Sequence, residues 1–280
     1  MLKSAYSYAW IPLTLVHLHF STAACIATPN GPVSANENHF QERLSYNLVS
    51  EEENIFISKQ TEQIGATWWS GNVWDKPLIE KCHAILKGLD ENFVFLDVGA
   101  QTGSFSLMAK YFPNSQWYAF EPIKEAADEL IVNLALNGIQ NAFVCNASVS
   151  DKSGWGTLKL PTDNHWGLAT MGNTPLRFHR HEERKVECIT LDEFTQTHAI
   201  QRVDFIKIDT EGWELFILKG GKDVIARNKP IILMEFNGTN MRQCGVSETE
   251  VCVLLEEMGY QWELVSTEDI LCKPAQRKPS

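Results

Sequence analysis

Acidic side chains stand at the ends of short apolar runs throughout this chain. Asp97 follows Val94, Phe95 and Leu96; Glu121 follows residues 116–120; Asp209 and Glu211 follow Phe205, Ile206 and Ile208. Asp97 leads into a glycine-bracketed turn, Gly99-Ala100-Gln101-Thr102-Gly103, and then into residues 104–111, which read as a helix. Strand, turn and helix in that order form a nucleotide-like pocket at the carboxyl end of a parallel strand. The first turn of such a helix offers unpaired N–H groups.

The dinucleotide fingerprint G-x-G-x-x-G lacks its middle glycine here, which disfavours close backbone approach to a pyrophosphate. Glu121, followed by Pro122, is placed to accept hydrogen bonds from both hydroxyls of an adenosine ribose. An acid beside the turn suits a ligand with a positive centre and an ammonium group, as in S-adenosylmethionine. Asp209 and Glu211 are the best carboxylates for chemistry, because their strand end faces the same cleft as Asp97. Their structural alternatives are an N-cap for Asp209 and a helix-dipole partner for Glu211. Lys207 reads as an inward lysine paired with Asp209 or Glu235, and Glu235 with Asn237 as the polar end of a fifth strand. His165, beside Trp166, is a candidate mobile base, while His179 and His181 read as a solvated patch. Oxygen ligands from Asp209, Glu211 and Glu235 are conceivable for a divalent ion, but no metal is expected.

The elements that hold these residues alternate strand and helix from Phe93 onward, which gives an α/β fold with a mostly parallel sheet and helices on both faces. Strands fall at 93–98, 116–120, 142–145, 204–209 and 230–236. Helices fall at 123–137, from Glu214 and at 248–258, and residues 260–265 and 270–272 form a terminal antiparallel pair. Residues 151–181 read as one long polar loop, of the length that often serves as a lid. Residues 78–89 have helical spacing, and Trp68, Trp69 and Trp74 form an aromatic cluster that is either a packed lid or an acceptor-stacking surface. The expected organisation is a signal-like or anchor segment at 1–27, a linker at 28–39, a helical and aromatic cap at 40–90, and the main domain at 91–275.

The 280 residues carry a formal net charge of -11, which argues against a general grip on nucleic acid. Seven cysteines without C-x-x-C pairs fit ordinary buried thiols. Between Lys3 and Glu37 no charged residue occurs, so the leader resembles a secretory signal or a membrane anchor; otherwise the protein is cytoplasmic. Contact with a membrane is expected only through that segment, and the oligomeric state is left open. The sequons at Asn146 and Asn237 follow strands and are expected to be unused, since glycans there would obstruct the cleft.

In this order of motifs the chain resembles the FkbM family of S-adenosylmethionine-dependent methyltransferases. The likeness is carried by FLDVGAQTG, the AFEP ending at Pro122, NASVSDKSG from Asn146, ITLDEF from Ile189, IKIDTEGWE from Ile206 and MEFN from Met234. It implies a class I methyltransferase (Rossmann-like) fold, a seven-stranded sheet with one antiparallel strand, and methyl transfer usually to oxygen, on sugars or other small molecules. It also implies that Asp97, Gly99 and Gly103 border the methionine end, that Glu121 holds the ribose, and that Ala147 and Ser148 lie near the adenine. With Ala100, Gln101, Pro122 and Asp209 these complete the expected cofactor set. Gln101 stands where the family typically has asparagine. The expected catalytic residues are Asp209, Glu211 and His165. The alternatives are a nicotinamide-dependent oxidoreductase and a cofactor-binding protein without catalysis.

Overall fold

The computed structural model describes residues 26–27, 43–59, 61, 68–69, 72–73, 75–163 and 165–275. Strands β1 (Ile26–Ala27), β2 (Arg43–Tyr46), β3 (Ile55–Ser58), β4 (Trp68–Trp69) and β5 (Asn72–Val73) precede helix α1 (Lys76–Leu86). There follow β6 (Val94–Val98), a 3-10 segment (Ser106–Tyr111), β7 (Gln116–Phe120), α2 (Lys124–Leu136), β8 (Ala142–Cys145), β9 (Ser148–Val149) and β10 (Gly154–Pro161). The chain continues through β11 (His181–Ile189), α3 (Leu191–Thr197), β12 (Phe205–Ile208), α4 (Glu214–Gly220), α5 (Lys222–Asn228) and β13 (Ile231–Glu235). It ends with α6 (Gly238–Gln243), α7 (Glu248–Glu257), β14 (Tyr260–Leu264) and β15 (Asp269–Pro274).

The main sheet runs β1-β8-β7-β6-β12-β13-β15-β14. Pairs from β8 to β13 are parallel, and β15 runs antiparallel to both neighbours. This is the expected doubly wound α/β sheet with one reversed strand. The very short β1 adds an antiparallel edge to β8, Ile26 opposite Cys145, that sequence reading had assigned to the leader.

β6 and β12 are buried along their whole length, as strands covered on both faces must be. Alternate residues feed two cores. Phe95 packs on the α1 and α2 side, stacked between Trp117 at 4.1 Å and Phe205 at 4.9 Å, whereas Leu96, Val98, Ile206 and Ile208 face the α3, α4 and α7 side. Tyr46, Ile55, Ile57, Leu78 and Leu86 join the same cluster as Phe95, so the β2–β3 hairpin and α1 share the sheet's core. Losing one such aromatic would cost about 3–5 kcal/mol. Helix starts follow local chemistry: Thr190 caps α3, and Ser247 with Glu250 forms a capping box on α7.

Two expectations are corrected. The helix at 104–111 begins at Ser106 and is 3-10 throughout, its Ser106 hydroxyl being turned onto Asp97. The stretch 151–181 is not one loop. It contains β10, which pairs with β11 in a separate sheet of order β10-β11-β9, and the connector between them carries a 3-10 turn (Trp166–Leu168) and a bridge from Thr170 back to Lys159. The cue was the alternation along β10, where Leu158 and Leu160 go inward while Trp155 is exposed; glycines at 154 and 156 masked it. Among the described residues no helix is long and apolar enough to cross a membrane. The leader before Ile26, the linker, Trp74 and the side chains of Trp68 and Trp69 lie outside the described residues.

Candidate active site

The turn after β6 is set by backbone constraints. Gly99 has φ 78°, and a Cβ there would lie 1.9 Å from the Asp209 carbonyl oxygen, so the turns after β6 and β12 touch only because Gly99 has no side chain. Gln101 also has positive φ, 49°, and its backbone N–H donates to Glu121 Oε2 at 2.9 Å. The N–H of Ile123 donates to Glu121 Oε1 at 2.8 Å. Each carboxylate oxygen retains a lone pair for a further donor. Burial pushes the Glu121 carboxyl up to about 7, against the pull of those two N–H groups. Asn146 donates to the carbonyls of Glu121 and Pro122, so this sequon asparagine fastens the same turn.

Beneath the turn lies a buried charge relay. Asp97 is fully buried and accepts from Ser106 Oγ at 2.6 Å. Lys207 comes in from β12, the register partner of Asp97. Its Nζ donates to the Gly99 carbonyl at 3.1 Å and stands 3.7 Å from Asp97 and 3.4 Å from Asp209. Burial pulls the lysine down, and Asp209 and Asp97 more than offset this, leaving it raised. Lys207 therefore pairs with Asp209, as one of the two expected arrangements had it, and with Asp97 in place of Glu235.

The turn after β12 does not enter a helix until Glu214, so neither Asp209 nor Glu211 serves as its cap. Glu211 has φ 55° and is buried; its Oε2 accepts from Arg177 at 2.9 Å and from Asn240 Nδ2 at 2.6 Å. Its carbonyl accepts from Thr170 Oγ1 at 3.0 Å and Gln243 Nε2 at 2.8 Å. Asn240 Nδ2 also donates to Glu235 Oε1 at 2.7 Å, so one amide bridges two carboxyls. Burial, then the charge of Asp209, raises Glu211 to about 8 and holds Glu235 well above the usual range. Glu214 closes the turn from below, accepting from the N–H and hydroxyl of Thr210 and from the N–H of Gly212.

These elements enclose a cavity of about 510 Å³ at the carboxyl ends of β6, β7, β12 and β13. Of the expected residues, Gly99, Gln101, Glu121, Pro122, Ala147, Ser148, Asp209, Glu211 and His165 line it. Asp97, Ala100 and Gly103 do not. Asp97 acts from underneath through Lys207, and a Cβ on Gly103 would strike Leu130 Cδ1 at 2.3 Å, which makes its role helix packing. His165 lies on the half-exposed outer wall, its Nδ1 3.2 Å from Asp163. Sequence reading missed Arg177, Asn240, Asp75, Glu268 and Asp269. None left a local signal; Arg177, Asp75, Glu268 and Asp269 reach the cleft, and Asn240 reaches the carboxyls beneath it, through tertiary folding alone. Among the described residues no group of His, Cys, Asp or Glu is arranged to hold a metal ion.

The sheet order and an acidic cleft over its parallel strand ends define a class I methyltransferase. The chain matches the Methyltransferase FkbM domain over residues 97–262, more than half its length, and it belongs to that family. It is 29% identical over 254 residues to the methyltransferase sdnD of Sordaria araneosa, covering 78% of this chain and 86% of that one. It is 27% identical over 161 residues to Methyltransferase 1 of Beauveria bassiana, covering 52% and 64%. Among solved structures, an FkbM methyltransferase from Methylobacillus flagellatus superposes with a TM-score of 0.41 at 16% identity, over 66% of this chain and 44% of that one.

The protein is thus an S-adenosylmethionine-dependent methyltransferase, and the nicotinamide and non-catalytic alternatives fall away. The residues present fit this cofactor. The volume is that of a small-molecule site, Glu121 keeps acceptor capacity for ribose hydroxyls, and Phe120, Ala147, Val149 and Leu158 give an apolar wall for a base. Carboxylates on the opposite wall suit a cationic centre.

Proposed function

We propose that the protein methylates a hydroxyl of a saccharide or another small molecule, with Asp209 as the base. The observation that carries this reading is the position of Asp209. It lines the cavity, its side chain is 40% exposed, and Lys207 holds it from below at 3.4 Å. Glu211 is enclosed by Arg177 and Asn240, and His165 sits on the outer wall, so both support the acceptor from less direct positions.

Bound S-adenosylmethionine supplies an activated methyl group, so alignment and water exclusion govern much of the rate. The chain's own part is then threefold. Glu121 orients the donor, Lys207 fixes the Asp209 carboxylate, and Asp209 draws the proton from a hydroxyl that would otherwise be a poor nucleophile. Carboxylates with free lone pairs accept well from the several hydroxyls of a sugar. The saccharide class also follows the family resemblance.

The test is transfer of labelled methyl from S-adenosylmethionine to a panel of saccharides and other hydroxyl compounds, with the methylated atom located by mass spectrometry. The expected product is an ether. Methyl found on nitrogen or carbon only, or full turnover by Asp209→Asn, would overturn the reading.

A further inference from the structure

The acceptor end of the cleft gathers more carboxyl groups than its own cations can pair, and burial there favours their protonated forms until a cation arrives. Asp75, Asp209, Glu211, Glu235, Glu268 and Asp269 line it, against Lys207 and Arg177. Lys207 is engaged with Asp97 and Asp209, and Arg177 with Glu211. Among the described residues no Lys, Arg or His nitrogen lies within ion-pair distance of Asp75, Glu235, Glu268 or Asp269.

Two of these acidic residues stand opposite each other across the sheet. Glu235 ends β13 and Asp269 begins β15, and they are direct register partners in the antiparallel pair. Like charges at facing positions would destabilise a sheet, and burial already pushes the Glu235 carboxyl toward its protonated form. Asp269 has a partial remedy, the Ser266 hydroxyl at 2.5 Å. Glu235 has the Asn240 amide on Oε1 alone: it is only 8% exposed, it lines the cavity, and its Oε2 has no hydrogen-bond partner. A buried carboxylate oxygen without a donor is costly and calls for one. Desolvation in the cleft mouth, followed by the charges of Asp209 and Asp269, pushes the Asp75 carboxyl up to about 6. The methyl donor relieves little of this, since its α-carboxylate cancels one of its two positive groups.

We propose that the acceptor is an amino alcohol, such as an amino sugar, whose ammonium group is held by Glu235 together with Asp269 and Asp75 while its hydroxyl faces Asp209. A protonated amine supplies the missing N–H donor to Glu235 Oε2 and the missing positive charge between facing carboxylates, with charge-assisted bonds that a neutral hydroxyl cannot match. The same wall repels carboxylate, phosphate and sulfate acceptors. This rests on the reading of Asp209 as base toward a hydroxyl.

The experiment is calorimetric titration of the full chain, saturated with S-adenosylhomocysteine, with glucosamine, glucose and glucuronate at low salt. Glucosamine should bind at least about tenfold more tightly than glucose, the factor a single charge-assisted hydrogen bond provides, and glucuronate should not bind. Glu235→Gln and, separately, Asp269→Asn should each erase most of that preference without weakening the S-adenosylhomocysteine complex; two variants guard against one failing to fold. Equal binding of glucose or glucuronate, no binding by any of the three, or a preference that survives both substitutions overturns the inference. Product analysis keeps it distinct from the parent reading. Methylation of nitrogen with the cation preference intact would sink O-methylation and the placing of the hydroxyl toward Asp209 while leaving the ammonium site standing, whereas ether formation without the preference would sink only the inference drawn here.

Discussion

Lys207 Nζ stands 3.4 Å from the Asp209 carboxylate and reaches it from inside the sheet, with Asp97 on its other side at 3.7 Å. A cation shared by two acids, one sealed and one facing the cleft, ties the integrity of the fold to the alignment of the proposed base.

Replacing Lys207 by Met should therefore destabilise the protein by about 3–5 kcal/mol, because Asp97 is left charged and buried without its partner. Urea denaturation measures this. Adding Asp97→Asn to Lys207→Met should recover part of the loss, and an unchanged midpoint in the single variant would show that the relay is not structural.

We propose the Glu121 carboxylate as the ribose anchor. Glu121→Gln should weaken S-adenosylhomocysteine binding about tenfold to a hundredfold, the loss of charge-assisted bonds worth about 1.5–3 kcal/mol. Calorimetry checks it, and affinity within a factor of two of the parent protein would remove Glu121 from the cofactor site.

Buried acids give the free protein an unusual pH dependence. Glu121 and Glu214 are raised to about 7 and Glu211 to about 8, each chiefly by burial. The folded state thus binds more protons than the unfolded state between the ordinary carboxylate range and these values, so stability is full at low pH within that window and is lost as pH rises. The ligand-free protein should lose at least about 2 kcal/mol between pH 5 and pH 8, the part of the linkage energy of a single carboxyl raised as far as Glu121 that falls in this interval. Unfolding curves at several pH values test this; stability that is flat or climbs over the interval contradicts it.

Arg177 pulls the Glu211 carboxyl down against burial and the charge of Asp209. Arg177→Ala should move any pH-rate limb that belongs to Glu211 to higher pH and raise KM for the acceptor severalfold, with homocysteine affinity held within about twofold. Arg177→Lys should restore the limb in part, because the charge returns without the forked geometry. A pH-rate profile that does not move would assign the limb to another group.

Much of the fold could be read from residue pattern. The near-continuous apolar runs of β6, β12 and β13 mark strands buried on both faces, and Asn137-Gly138 marks the end of α2, which stops at Leu136. The acids at strand tips were legible for the same reason, since a parallel sheet brings its carboxyl ends to one rim. Asp97 shows the limit of that logic: its position on the strand was clear, but whether it faced the cleft or the layer beneath depended on Lys207 and Ser106. Asn240 could not be found at all, because α6 lies beyond the last motif residue and only tertiary packing brings its amide between Glu211 and Glu235. The β10–β11 hairpin was hidden by its glycines, whose small size serves close contact: a Cβ on Gly156 would lie 2.3 Å from Met171 Cε.

The carbonyl of Glu211 is gripped by Thr170 from the hairpin connector and by Gln243 from α6, while its carboxyl is gripped by Arg177 from the same connector. Thr170 and Arg177 thus act as two rivets through which the roof of the cleft and its reactive edge must shift as one plate. Grafting another connector between them would reshape what the enzyme admits while leaving the anchorage in place, whereas a graft that discards either rivet would unseat the edge along with the roof.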